Sequence, residues 1–478
     1  MIKDRIKELF ALKYEDKLLI SDFEKLSFLY LKVLYENGFQ IFYYDNIEQF
    51  RMKYESEIRE KKVRVAVILR KEMYIPYDIT CNFYQVLFSL ERIYPKLNAK
   101  VIREHMRDLP LIDKAYEALL ESVETPKDTK EFIKKQVFNK SNVGRFCDDE
   151  LAYWNAKLAE KLSYKDWIEY AERKALLEYY AVQVGINLQF EDMEKAFSDY
   201  VMTDYKKLSG EPATEFPAIL PKVTEFITPG KVALIVVDGM SEFDFEILSR
   251  YFDNIEYEQY GSFALVPTVT AISRQSLLTG KYPQELDNPF LLSKEKHGFI
   301  KNGIELGYQE KQLQYERGYE FDIEPMTKFI SIIVNDIDNL VHGQLQGRIG
   351  MYNDIKVLAE SLKLQKLIKR LQQFGFTVYI TADHGNTPCV GTGSLKSFGV
   401  ETETRSKRML VLKEFATQFE QLENRMFTYP GYYLDKKYQY FICKNGISLD
   451  NKDEAVMTHG GISIEEVIVP FIKIKVVK

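Results

Sequence analysis

The chain has 478 residues, which at about 150 residues per domain corresponds to roughly three domains and excludes a lone small module. Hydrophobic residues make up 46% and charged residues 28%, so sizeable cores can form without disulfide staples and wholesale disorder is excluded. Lys and Arg number 65 against 71 Asp and Glu, a net charge of −6 that argues against a polyanion-coating protein but leaves room for a phosphorylated substrate.

Cys81, Cys147, Cys389 and Cys443 are too far apart for a Cys-x-x-Cys metal clip or a disulfide framework and read as free thiols of a reducing compartment. The first twenty residues mix charges into every turn and contain no unbroken apolar core of the kind a signal peptide needs. No apolar run approaches the roughly 20 residues that cross a bilayer, so the expectation is a cytoplasmic protein without a membrane partner.

In chain order, residues 40–44 (QIFYY) and 63–69 (VRVAVIL) read as strands with a helix over 46–61 between them, which predicts a small α/β unit over 1–78. Over 79–208 apolar residues recur three and four apart, as in Trp167, Tyr170, Ala171 and Ala175, and predict a helical domain. Residues 209–230 hold Pro212, Pro217, Pro221 and Pro229 and read as a surface linker. Over 231–478 strands are expected at 232–237, 263–266, 329–334, 377–381, 408–412 and 467–474, several apolar throughout as in strands buried on both faces. Helical stretches separate them, the clearest running through Ile355, Leu358, Leu362, Ile368 and Leu371 to a stop at Gly375. The pattern is that of an α/β fold with a doubly wound, mostly parallel sheet, whose site lies at the carboxyl ends of its strands.

Polar groups stand at those ends: Asp238-Gly239 after LIVV, Pro267 to Thr270 after SFALV, Asp336 to Asp338 after SIIVN, and Asp383-His384 after VYITA. Each alone reads as a turn or a helix cap; their coincidence is the signal. Asp338 and His342, four apart, would share one helix face and could grip one ion. His459, in a glycine-rich turn before the last strand, is a third imidazole, whereas His105 lies in the helical region and His297 in a charged loop. Three carboxylates and three imidazoles exceed one tetrahedral ion and suit two cations about 4 Å apart, a clamp for displacement at phosphorus. Thr270 would stand at a helix N-terminus, where a phosphate oxygen is welcome, with its hydroxyl activated by a divalent cation. The absence of thiolate suits Zn²⁺ first and Mn²⁺ second.

The ordered set VVDGM, PTVTAISRQSLLTG, DIDNLVH, TADHGN and THGGISIEEVIVP resembles the alkaline phosphatase superfamily, most closely its PglZ-domain branch, over about 231–478. The resemblance implies Asp238, Asp383 and His384 at one ion with Thr270 beside it as nucleophile, and Asp338, His342 and His459 at the second. It implies a phosphohydrolase, most readily a phosphodiesterase, acting through phospho-Thr270 on a phosphate ester such as a nucleotide or nucleic acid. Sulfatase chemistry is disfavoured, because Thr270-Ala271-Ile272-Ser273-Arg274 lacks the sulfatase arrangement. Arg274 is the first candidate to clamp the phosphate, ahead of Arg405 and Arg408. The branch is similar to components of bacterial BREX phage-exclusion systems, which implies other phage-defence proteins as partners; a metal-dependent nuclease and a mainly structural scaffold are the alternatives.

Overall fold

The computed structural model describes residues 2–59, 63–393, 406–412 and 424–475. The chain divides into two compact units, Met1–Asp148 and Asp149–Lys478. No helix among the described residues is long and apolar enough to cross a membrane.

The first unit carries a parallel sheet of four strands, β1 (Lys17–Ser21), β2 (Gln40–Tyr43), β3 (Val65–Leu69) and β4 (Tyr84–Leu87), in the order β2-β3-β1-β4. Central β3 is buried along its whole length, as its unbroken VAVIL run requires. The helix expected over 46–61 is a helix at Ile47–Lys53, capped by the Asn46 side chain accepting from the Gln49 N–H, and then a π-helical turn at Tyr54–Ile58. Strands β1 and β4 were not foreseen. β1 hides in a charge-rich stretch, and β4 is mostly exposed, with no apolar alternation to betray it.

The second unit is built on a six-stranded sheet of β5 (Val232–Val237), β6 (Tyr257–Phe263), β7 (Leu313–Arg317), β8 (Phe329–Val334), β9 (Thr377–Thr381) and β16 (Ile468–Ile474), in the order β6-β16-β9-β5-β8-β7. Strands β9, β5, β8 and β7 pair in parallel, whereas β16 runs antiparallel to both β9 and β6, so the sheet is mostly parallel with one reversed strand. The strand expected at 263–266 lies earlier, because Tyr257 to Phe263 pair with β16 over all seven residues despite the polar Glu258 and Gln259. Residues 409–412 do form a strand, but outside the main sheet. Strands β11 (Met409–Leu412), β12 (Met426–Tyr429) and β13 (Gln439–Cys443) make a separate antiparallel sheet, and β10 (Thr387–Gly391), β14 (Ile447–Ser448) and β15 (Ala455–Thr458) a third.

Seven helices of this unit matter for the site: α1 (Tyr164–Val184), α2 (Glu191–Thr203), α3 (Glu242–Ser249), α4 (Thr270–Thr279), α5 (Asp336–Gly343), α6 (Gly347–Glu360) and α7 (Lys363–Gln373). The single helix expected through Ile355 to Leu371 is broken into α6 and α7 by Leu362, which takes a left-handed backbone at φ 56°. Helix α1 starts on a Ser163–Asp166 capping box, ends on left-handed Gly185, and lays Ile168 against β6. Close approach is allowed by Gly261, where a Cβ would fall 2.7 Å from Ile168 Cγ2. The proline-rich segment expected on the surface is instead tied to the sheet: Ala218, Ile219 and Leu220 are buried, and the Phe263 N–H donates to the Ala218 carbonyl at 2.9 Å. The apolar residues between the prolines do this, a signal outweighed in the sequence by the prolines themselves.

Candidate active site

Three adjacent parallel strands deliver the acids. Asp238 follows β5, Asp383 follows β9, and Asp338 lies in the first turn of α5 just after β8, all at the carboxyl ends of these parallel strands. Gly239 makes the crossing possible: its φ is +74°, a Cβ there would sit 3.5 Å from Asp338 Cα, and its N–H donates to Asp383 Oδ1 at 3.2 Å. The β10–β15 pairing sets Thr387 opposite Thr458, so the register itself brings His459 alongside the turn that carries His384. Their rings stack with centroids 4.1 Å apart and planes 14° from parallel.

Both imidazoles are oriented by backbone carbonyls. His384 Nδ1 lies 3.0 Å from Gly385 O, and His459 Nδ1 lies 3.0 Å from Thr268 O. A carbonyl only accepts, so each Nδ1 carries the hydrogen and, in the neutral ring, each Nε2 presents its lone pair. His384 Nε2 is 2.9 Å from Thr270 Oγ1 and 3.7 Å from Asp238 Oδ1; His459 Nε2 is 3.7 Å from Asp338 Oδ1. Burial, reinforced by neighbouring His384, pushes the His459 imidazole down to about 4 and keeps it neutral. For Asp338, burial works to raise the carboxyl, but the His342 hydrogen bond and the nearby imidazoles outweigh it and bring it to about 2. Burial, and then Asp238, push Asp383 well above the usual carboxylate range.

The ligand atoms fall into two groups, each within 4.8 Å: Asp238, Asp383 and His384, and Asp338, His384 and His459. His384 belongs to both. His342 does not join the second group; its side chain is 64% exposed, with Nε2 3.4 Å from Asp338 Oδ2. Asp336 opens α5 and belongs to neither group. The residues fit divalent cations on an observation independent of the motifs. Asp238 Oδ1, Asp338 Oδ1 and Asp383 Oδ2 are buried oxygens with no hydrogen-bond partner among the described residues, a costly state that a cation relieves.

Thr270 is the first residue of α4, half-buried, with its hydroxyl on His384. Arg274, one turn on, is buried with its guanidinium directed away from solvent: Nη1 meets Asp238 Oδ2 at 2.5 Å and Asp383 Oδ2 at 3.6 Å, and Nε donates to Glu295 Oε2 at 2.8 Å. It is thus held by three carboxylates, a different setting from the open phosphate clamp expected of it. Burial opposes its charge, but Asp383, Asp238 and Glu295 outweigh that and keep it protonated. Arg408 is likewise buried, 3.1 Å from Glu466, and Arg405 lies outside the described residues.

The sequence reading missed the supports. Asn386 Nδ2 donates to Gly239 O at 2.8 Å and Asp244 Oδ2 at 2.6 Å, tying the β9 turn to the β5 turn. Thr268 Oγ1 accepts from the Gly460 N–H and donates to Gly461 O, both at 3.0 Å, while Glu466 Oε1 accepts from the Gly461 N–H at 2.8 Å, fixing the turn of His459. Asn386, Thr268 and Glu466 all stood in the motif stretches, but without a ligand pattern to single them out. Glu295 opens a helix, Glu295–Glu305, where a charged loop was expected around His297, which is exposed.

Carboxylates, imidazoles and a helix-terminal hydroxyl are gathered at the strand ends of a mostly parallel sheet, in a domain of the alkaline phosphatase-like class. The chain belongs to the PglZ family: residues 221–474 match the BREX system PglZ alkaline phosphatase-like domain. Among solved structures it is similar to murine ectonucleotide pyrophosphatase/phosphodiesterase 5, at 12% identity and a TM-score of 0.38 over 51% of this chain and 87% of that one. It is also similar to phosphonoacetate hydrolase from Sinorhizobium meliloti 1021, at 10% identity and a TM-score of 0.34 over 51% of this chain and 90% of that one. No curated protein matches the sequence.

Proposed function

We propose that the protein is a phosphodiesterase of BREX-type phage defence that transfers a phosphoryl group to Thr270 and then to water. The observation that carries this reading is the Thr270 hydroxyl, 2.9 Å from Nε2 of His384, the residue common to both ligand groups. Asp238, Asp383 and His384 would hold one divalent cation, zinc or manganese, and Asp338 with His459 and, after a side-chain rotation, His342 the second. Bound there, two cations would supply Lewis-acid charge for the phosphoryl oxygens and for the nucleophile.

The chain's own residues do the rest. The first turn of α4 turns backbone N–H groups toward an incoming phosphate and places Oγ1 at the same spot. His384 would hold its cation at the nitrogen that the hydroxyl faces, so one imidazole places both. As the bond from Oγ1 to phosphorus forms, the bond to one ester oxygen breaks and that alcohol departs with the proton given up by the Thr270 hydroxyl; water then cleaves the phosphate ester on Thr270, releases a phosphate monoester and returns the proton to Oγ1. Arg274 acts in this reading as a positioning residue, balancing the charge of Asp238 and Asp383 from behind. The substrate is a phosphate ester of nucleotide type, and the setting is the cytoplasm with other defence proteins.

The test is hydrolysis of bis(p-nitrophenyl) phosphate and of p-nitrophenyl phosphate by metal-loaded wild type and Thr270→Ala. The expected result is a loss of about 10³-fold or more for the diester in the variant, the scale on which removal of a nucleophile acts. Equal rates for the two proteins end the nucleophile assignment.

A further inference from the structure

Within the second unit lies a cavity of about 870 Å³, within the span of small-molecule sites. Its walls come from α1, the connection to α2, α2, the start of α6 and the strand ends near Pro388, Phe427 and Asn445, and no metal-centre residue lines it. Set into one side is an unbalanced charge cluster. Lys174 Nζ pairs with Glu465 and lies 3.1 Å from Glu178 and 3.7 Å from Glu194, while Arg348 Nη2 lies 3.3 Å from Glu178 and 3.4 Å from Glu465. Two cations therefore face three carboxylates. Glu465 is 8% exposed, and its Oε2 has no hydrogen-bond partner among the described residues. Arg348 is shared between Glu178 and Glu465 through Nη2 and lies 4.6 Å from the Phe243 ring centre, while its Nε and Nη1 have no hydrogen-bond partner among the described residues. Burial, and then Glu465, push Glu194 up to about 8, so in the empty cavity Glu194 keeps its proton and would release it when a further cation stands beside it. Aromatic rings of the wall already accept ammonium groups, Phe190 from Lys174 at 4.3 Å and Phe427 from Lys444 at 5.7 Å.

We propose that this cavity is a second binding site, for an organic cation: an ammonium or guanidinium group beside Glu194 and Glu465, on an apolar stem lying along Ile186, Leu188 and Ile349. The cation completes the charge balance of the cluster, and the apolar wall accounts for a stem rather than a bare metal ion. Such a group is carried either by a free amine or by a basic side chain of a peptide.

Isothermal titration of the full chain with agmatine, spermidine and N-acetyl-arginine methylamide, against AMP at matched ionic strength, tests this. At least one cationic probe is expected to bind wild type and to weaken about tenfold or more in both Glu194→Gln and the cavity-filling Val182→Trp, with both variants melting as the wild type does. Binding by agmatine or spermidine alone identifies a free amine, and by the arginine amide alone a peptide side chain. No binding by any cation, equal binding by the variants, or binding of AMP in their place overturns the proposal. None of these readouts depends on a metal or on hydrolysis, so the proposed phosphodiesterase reading can fail without it, and it without that reading.

Discussion

Alanine at Gly385 probes the convergence of the centre without deleting any donor group. A Cβ there would lie 1.8 Å from the Glu465 carbonyl oxygen, 3.0 Å from its carbon and 3.1 Å from Ser241 Cα. All three are backbone atoms, so no rotamer relieves the clash. Reaching even 3.0 Å from that oxygen demands a shift of about 1.2 Å, and the turn that moves carries Asp383 and His384 on its preceding residues. It also carries the Gly385 N–H, which donates to Glu466 O at 3.0 Å. Misplacement of reacting groups by 1 Å costs about 10²-fold in rate, and overpacking of this kind costs about 1–3 kcal/mol. The expected outcome for Gly385→Ala is a kcat/KM for a phosphate diester at least about 10²-fold down, together with a lowered melting temperature and reduced zinc content by elemental analysis. Gly210→Ala, with nothing within 4 Å of its added Cβ, is the control and should stay within about 0.5 kcal/mol. A Gly385→Ala protein with wild-type melting and full metal content would refute the reasoning, since it would mean that the turn yields without dragging its ligands.

Two further outcomes are expected. Arg274→Met leaves Asp238, Asp383 and Glu295 buried without their shared cation, which should cost about 3–5 kcal/mol in chemical denaturation of chelator-treated protein; an unchanged midpoint would remove Arg274 from the charge balance. His342→Ala should weaken binding of one zinc ion about 10-fold, whereas His384→Ala, which serves both ligand groups, should abolish stoichiometric binding of two; equal losses in titration calorimetry would contradict the asymmetry between the exposed and the shared imidazole.

What the sequence disclosed, and what it hid, follows from how each feature is encoded. Strands β5, β8 and β9 were legible because burial on both faces leaves an unbroken apolar run, and a polar residue at the end of such a run is conspicuous. The reversed direction of β16 leaves no imprint, since IVPFIKI reads alike either way. Strand β7 alternates as LQYER and was lost among polar neighbours. At the site, Asp338 and His342 were paired by their spacing, and they do lie together. The sharing of His384 between two groups depends on the β10–β15 register, which joins residues some seventy positions apart and has no local signature. Arg274 was read from its place one turn after Thr270; its true neighbour Glu295 lies on a separate helix that was read as a loop.

The position of β16 between β6 and β9 has a consequence for biosynthesis. The ribosome makes this strand after every other strand of the sheet, and β6 has no neighbour within the sheet until it arrives. The turn that carries His459 is separated from β16 by the short helix Ile464–Val467. Translation therefore passes His459 before the candidate ligand groups can assemble, and a nascent chain stalled short of β16 exposes an unzipped sheet edge to chaperones.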